Sequence, residues 1–484
     1  MALKVLLTLP VREGDNIQIS PDPGVLYLGT ALKTKGYDVT VLDCPKEKMT
    51  FRGFRAYLES NHFDVVGFRC FSRDHNYVIK HLQLTRRILP EALTLVGGPH
   101  SSALPEYVMS SMPNLDFAWR SEAEEGLPVL LSAFEKYGRQ IPEAELKTIG
   151  GLVWRNGTGA AVLNPVCLSA DLDSYGIPAW DLIKPETYPG FIWDRFYPVV
   201  TTRGCPYPCI YCNTPGLSGR KLRHRSVEHV LEELRSLKKN YGVGRFSIED
   251  DEFTLDRPYV IRFCEALIGS GLNLRWDCPV GVRLDAVDPE LLQLMEKAGC
   301  ESVAVGIESG SERVQKVIGK KITVKKIREQ AKMIAGCNGI KITGFFMIGF
   351  PDETEQEIWE TIRLANELPL KRANFNVVIP VPGTAIFNDA IRSGALSLDQ
   401  INWDTFTHDQ VSFPRKHVSG KRLIELQRKA FFRFFARPHI VWNLLKESRK
   451  NNEIIRASMR KVRMLLRRTE TIDRTPLYMR EAEV

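Results

Sequence analysis

The chain has 484 residues, of which 44% are hydrophobic and 26% charged, with ten cysteines and a formal net charge of +8. That length supports two or three domains with cores of their own, and the balance excludes a disordered or collagen-like chain. There is no uninterrupted apolar run of about 18 residues, and Met1–Pro10 lacks the form of a secretory signal, so the expectation is a cytoplasmic protein. Cysteines in such a chain read as reduced thiols or metal ligands rather than disulfides.

Five short apolar runs rich in β-branched residues open the chain: Lys4–Pro10, Tyr37–Asp43, Asp64–Cys70, Leu93–Pro99 and Phe117–Ser121. Helical patterns such as Gly24–Lys35 and Asn76–Ile88 lie between them. This alternation predicts an α/β domain over residues 1–140 with a parallel, doubly wound (Rossmann-like) sheet. Ligands of such sheets bind beyond the carboxyl ends of the strands. That singles out Pro10–Gln18, Phe71–His75, Gly97–His100 and Ser121–Glu125.

Residues 141–195 read as a connector, with an Asn156-Gly157 turn and the prolines Pro165, Pro178, Pro185 and Pro189. Its run Ile177–Ile183 is expected to pack on a domain surface.

A second alternating series fills residues 196–415. Strands are predicted at Tyr197–Thr202, Arg245–Asp251, Arg275–Val282, Ser302–Ser309, Lys341–Phe350 and Arg372–Pro380. Helices are predicted at Ser226–Asn240, Pro258–Ser270, Pro289–Ala298, Val324–Ala335 and Thr354–Leu368. Six strand–helix repeats imply a partial (β/α)6 barrel of the TIM type, with its chemistry at the C-terminal strand ends.

Residues 416–484 form a basic helical segment. Lys421–Val484 carries 17 Lys and Arg against 7 Asp and Glu, so the remainder of the chain is slightly acidic. Ile455, Met459, Val462 and Leu466 recur at helical spacing beside Arg456, Arg460, Arg463 and Arg467, downstream of the aromatics Phe431, Phe432, Phe434, Phe435 and Trp442. Such a segment suits a helical cap on the barrel, or contact with a membrane surface; nucleic acid is not expected as a partner.

The clustered cysteines are Cys205, Cys209 and Cys212, in the text Arg203-Gly204-Cys205-Pro206-Tyr207-Pro208-Cys209-Ile210-Tyr211-Cys212-Asn213 just after the first barrel strand. Three thiolates on one loop can ligate three irons of a four-iron cluster and leave the fourth open. Structural zinc wants four ligands, usually as two Cys-x-x-Cys pairs. No second pair exists here, and His224 stands alone.

The CxxxCxxC pattern resembles the signature of the radical S-adenosylmethionine (SAM) superfamily, and the resemblance runs from Tyr197 to about Phe413. It implies a 4Fe-4S cluster on Cys205, Cys209 and Cys212 as the catalytic and metal-binding residues. The open iron would hold SAM, and an electron from the cluster would cleave SAM to a 5′-deoxyadenosyl radical. Tyr211 is in the place of an aromatic that packs near the adenine. Asp250 and Asp251, within the acidic run Glu249–Glu252, would face the SAM ammonium, and Arg283 a carboxylate. Glu308 and Ser309 resemble the segment beside the SAM ribose and methionine moiety, and Gly349 lies in a turn resembling the one near the adenine.

A doubly wound domain upstream resembles the cobalamin-binding class of the superfamily, on Pro23–Gly29, Val96-Gly97-Gly98-Pro99-His100 and Ser121-Glu122-Ala123-Glu124. By that resemblance Ser72, Gly97, Gly98, His100 and Glu122 contact cobalamin. The text Arg73-Asp74-His75-Asn76-Tyr77 departs from the Asp-x-His-x-x-Gly of many cobalamin domains, so His75 is read as a surface or capping residue and not as a cobalt ligand. The methylthiolating class needs three further N-terminal cysteines, and only Cys44 and Cys70 are there. The resemblance implies radical methylation of an unactivated carbon of a small or lipid-like substrate, with an electron donor of flavodoxin or ferredoxin type. Cobalamin-dependent ring closure, rearrangement or oxidation is the alternative within the superfamily. A non-catalytic cobalamin or iron–sulfur sensor is the alternative outside it.

Overall fold

The computed structural model describes residues 2–12, 19–188, 197–337, 339–408 and 410–448. Part of Pro10–Gln18, Pro189 and the helical stripe at 455–467 therefore lie outside the described residues.

The N-terminal sheet has seven strands: β1 (Lys4–Leu9), β2 (Asp38–Asp43), β3 (Val65–Arg69), β4 (Leu93–Gly97), β5 (Phe117–Trp119), β6 (Leu152–Arg155) and β7 (Ala161–Leu163). Their order is β2-β1-β3-β4-β5-β6-β7. The first five are parallel, as the strand–helix alternation requires. One apolar layer, with Phe51, Phe54, Val78 and Met109, covers one face, and Val25, Leu32, Leu130 and Trp154 cover the other. The hairpin β6–β7 lies inside the stretch read as connector, yet it pairs antiparallel with β5 and extends this sheet. Its Asn156-Gly157 turn was legible; its attachment was not, because edge pairing leaves no mark in local pattern.

The second sheet contains β8 (Pro198–Val199), β11 (Arg245–Ile248), β12 (Arg275–Val282), β13 (Cys300–Glu308), β14 (Lys341–Ile348) and β15 (Arg372–Val377). All six are parallel, in the order β15-β14-β13-β12-β11-β8, which gives the partial barrel. Between β8 and β11, β9 (Thr202–Arg203) and β10 (Arg223–His224) pair antiparallel and close the base of the loop that carries the cysteines. Side-chain caps start the helices where chain text allows: Ser226 accepts from the His229 N–H, and Thr354 forms a capping box with Glu357.

The helix Gly420–Phe435 seals the open side of β15. Phe431 and Phe434 pack on Phe375 at 5.3 and 6.4 Å, and Gln427 donates to the Phe375 carbonyl at 2.7 Å. This part of the segment is a cap, whereas Phe432 and Trp442 stand 73% and 68% exposed. No helix among the described residues is long and apolar enough to cross a membrane.

Packing on two sides helps to tie the halves together. Ile177–Ile183 packs on the helix Pro23–Lys33: Thr30 donates to the Ile177 carbonyl at 2.6 Å, and a Cβ at Gly29 would collide with Leu182. Trp180 then donates to Glu233 of the barrel at 3.0 Å. On the other side Trp403 and Phe406, beyond the last strand, pack with Leu104 and Tyr107 of the N-terminal domain.

Candidate active site

A cavity of about 710 Å³ lies between the two sheets. The N-terminal domain supplies Arg69, Phe71, Gly97, Gly98, Ser121 and Glu122 from its C-terminal strand ends. The barrel supplies Thr202, Arg203, Leu217, Ser218, Glu249 and Asp251. Both sheets thus turn their functional edges toward one space. Gly98, at φ +104°, lets the backbone bend here; a Cβ would meet the Cys70 backbone at 3.1 Å.

The cysteine loop borders the same region. The Cys212 N–H bonds the Cys209 carbonyl at 3.1 Å, and the Cys205 N–H bonds Gly219 at 3.1 Å. All three thiols are half-buried, unlike the fully buried Cys44, Cys70, Cys264, Cys278 and Cys300. Burial pushes Cys205 up to about 11 and raises Cys209, which the Lys320 ammonium pulls back down; the Cys212 charge acts on both. Among the described residues, no three His, Cys, Asp or Glu side chains gather closely enough to hold a single metal ion. Three half-buried thiols on one loop are a donor set that suits an incompletely ligated cluster.

The acidic run divides its labour. Asp250 is buried and accepts from the Thr201 backbone at 2.6 Å and from the Thr201 hydroxyl, so both its oxygens are engaged within the protein. Glu252 accepts from the Arg283 N–H at 3.2 Å, and burial raises it to about 7. Only Glu249 and Asp251 border the cavity. Burial and the neighbouring Asp277 push Glu249 to about 8, so it holds a proton at neutral pH.

Around Cys209, Glu308 closes β13 in a left-handed conformation at φ +63°. Its carboxylate pairs with Lys320 at 2.6 Å and accepts from the Tyr211 hydroxyl. Lys320 escaped the sequence reading, since a lysine in a loop carries no local signal. Arg283 forms a two-point pair with its own neighbour Asp285, at 2.9 and 2.8 Å, and covers the Tyr207 ring. It is therefore engaged within the protein.

Several of the expected contact residues are engaged within the protein. Ser309 is fully buried and bonds Thr361 at 3.2 Å, below the barrel mouth. Both polar groups of Gly349 are taken, its N–H by Glu353 at 2.6 Å and its carbonyl by Arg415 at 2.8 Å. His100 and Ser72 do not line the cavity. His100 is fully buried, bonded to His75 at 3.0 Å and to Ser72 at 3.1 Å, and packed on Trp403 at 4.7 Å. His75 is likewise buried, not on the surface, and stacks on Tyr107. This pair holds the segment beyond the barrel against the N-terminal domain, a contact invisible before residues 75, 100 and 403 are brought together. Glu122 does line the cavity, but its carboxylate is held by Arg223 at 2.6 and 2.9 Å, Arg203 at 3.2 Å and Tyr175 at 2.8 Å.

Residues 199–365 match the model of the Radical SAM superfamily, and residues 18–131 match the B12 binding domain. An uncharacterized methyltransferase of Pyrococcus horikoshii is 30% identical over 443 residues, covering 91% of this chain and 94% of that protein. The chain belongs to the cobalamin-binding radical SAM enzymes. The cytidylyl-2-hydroxyethylphosphonate methyltransferase of Streptomyces wedmorensis is 28% identical to this enzyme, over 87% of this chain and 88% of that one. The same fold occurs in the radical SAM methyltransferase TsrM of Kitasatospora setae, with a TM-score of 0.66 at 19% identity, over 82% and 79% of the two chains. The enzyme's cofactors are accordingly a 4Fe-4S cluster, SAM and cobalamin, and its two matched regions are the two sheets that face the cavity.

Proposed function

We propose that this enzyme methylates an unactivated carbon of a small, largely apolar or lipid-like molecule. The observation that carries the reading is the cavity between the sheets, whose wall residue Asp251 is hydrogen-bonded through Thr214 to Cys212. Held beside this cavity, the cluster and SAM would supply a carbon radical able to remove a substrate hydrogen, and cobalamin would carry the methyl group. The chain's own part is to hold and exclude. Cys205, Cys209 and Cys212 present three thiolates from one loop. Gly97 and Gly98 would face cobalamin from the cavity wall, with Phe71 and Arg69 beside them. Glu308 and Tyr211 form the SAM side of the site, next to Cys209. Reducing electrons come from a flavodoxin- or ferredoxin-type donor.

The test is anaerobic reconstitution with iron, sulfide and cobalamin, followed by assay with SAM, reductant and candidate substrates. Methylation yields both 5′-deoxyadenosine and S-adenosylhomocysteine. Deoxyadenosine without homocysteine product would instead mark ring chemistry, and neither product from a fully loaded enzyme would mark a sensor. Cys209→Ala should lose the cluster and both products.

A further inference from the structure

The cysteine loop leaves and rejoins the barrel around one carboxylate. Thr214 stands two residues after Cys212, and its hydroxyl donates to Asp251 Oδ1 at 3.0 Å. Gly204, the residue before Cys205, gives Asp251 its backbone N–H, and the Ser218 hydroxyl donates as well. The other side of the Thr214 oxygen meets Cys212 Sγ at 3.3 Å, where the thiol is the donor. A hydroxyl has one proton. While Asp251 takes it, only a lone pair of Thr214 faces the sulfur.

Hydrogen bonds to cluster sulfurs stabilise the electron added on reduction and raise the potential. A cluster that must cleave a carbon–sulfur bond of a sulfonium with one electron needs a low potential, so a donor at Cys212 would work against it. We propose that Asp251 is a positioning residue that draws the Thr214 proton away from Cys212 and so keeps the cluster strongly reducing. The inference rests on Cys212 being a cluster ligand. Asp251 does this from the end of β11, outside the cysteine motif, and with the Gly204 N–H and Ser218 it fixes the two ends of the loop relative to one another.

The full-length enzyme, reconstituted anaerobically, is titrated with reductant while the reduced cluster is followed by electron paramagnetic resonance. In Asp251→Asn the new amide can donate to the Thr214 oxygen, which turns the hydroxyl proton toward Cys212; the midpoint potential should rise. Thr214→Val removes the lone pair from the sulfur and should give a smaller rise, while Thr214→Ser should match the wild type. In the Thr214→Val background, most of the Asp251→Asn rise should vanish. A lower potential in Thr214→Val would mean that the hydroxyl donates to the sulfur, and would overturn the proposal. So would an unchanged potential in Asp251→Asn, or a rise of equal size with and without Thr214, which would be a through-space charge effect. If Asp251→Asn loses iron, the sign of the Thr214→Val shift decides alone. A wild-type protein that takes up no cluster, or a Cys212→Ala variant that keeps a complete one, would instead remove the ligand assignment beneath it.

Discussion

Lys320 Nζ lies 2.6 Å from Glu308 Oε1, and the two side chains are only 10% and 8% exposed. The pair exists because Gly306 leaves room; a Cβ there would collide with both groups. It places a buried cation and a buried anion next to Cys209 and Tyr211, with Glu308 held in a conformation that few non-glycine residues adopt.

Removing one partner of such a pair leaves the other charge buried and uncompensated. Lys320→Met should therefore cost about 3 kcal/mol of stability, read by denaturant unfolding. It should also weaken SAM binding by calorimetry, because Glu308 loses its fixed orientation. Lys320→Arg should be milder on both counts. Unaltered stability in Lys320→Met would show that the pair is not buried in solution.

Gly98→Ala places a methyl group 3.1 Å from the Cys70 backbone at a positive φ. The expected result is a loss of about 1–3 kcal/mol and weaker cobalamin retention on gel filtration, with iron content unchanged. Wild-type cobalamin binding would place the cofactor away from this wall.

Arg223 spans the base of the cysteine loop and grips Glu122 of the other domain, at 5% and 7% exposure. Arg223→Gln should lower the melting temperature and expose residues 164–188 to protease, since the two sheets lose a buried two-point charged contact. An unchanged proteolysis pattern would mean that the Trp180–Glu233 and Trp403–Tyr107 contacts suffice.

The buried histidine pair gives a signed dependence on pH. Burial lowers His75 from 6.5 to about 4 and His100 to about 3, so both are neutral in the fold. As pH falls through 6.5 the unfolded chain takes up protons that the folded chain refuses until about 4. Stability is thus complete above 6.5 and is lost on the acid side, by on the order of 3 kcal/mol per histidine. Melting temperatures of the wild type and of His75→Gln/His100→Gln, compared between pH 7 and 5, should show a shallower fall in the variant. Parallel curves would refute the assignment.

Much of the architecture was readable in local text. Runs such as Val65–Arg69 and Cys300–Glu308 are strands because β-branched residues suit a buried parallel sheet. The cysteine loop was readable because three thiolates at that spacing serve few other purposes. Individual contacts were less so. Four acids in a row at 249–252 look alike in sequence, yet Asp250 and Glu252 face protein donors while Glu249 and Asp251 face the cavity. Ser309 and Gly349 were named by likeness, and their hydrogen bonds are spent on Thr361, Glu353 and Arg415.

By itself the sequence determined the two parallel sheets, their order along the chain and the clustering of three cysteines on one loop, since period and spacing are properties of neighbours in the chain. The tertiary structure alone decided which groups meet across it: Lys320 with Glu308, Arg223 with Glu122, His75 with His100 and Trp403, Thr214 with Asp251. Those pairings depend on burial and on the direction of side chains from separate strands, and no local pattern encodes either.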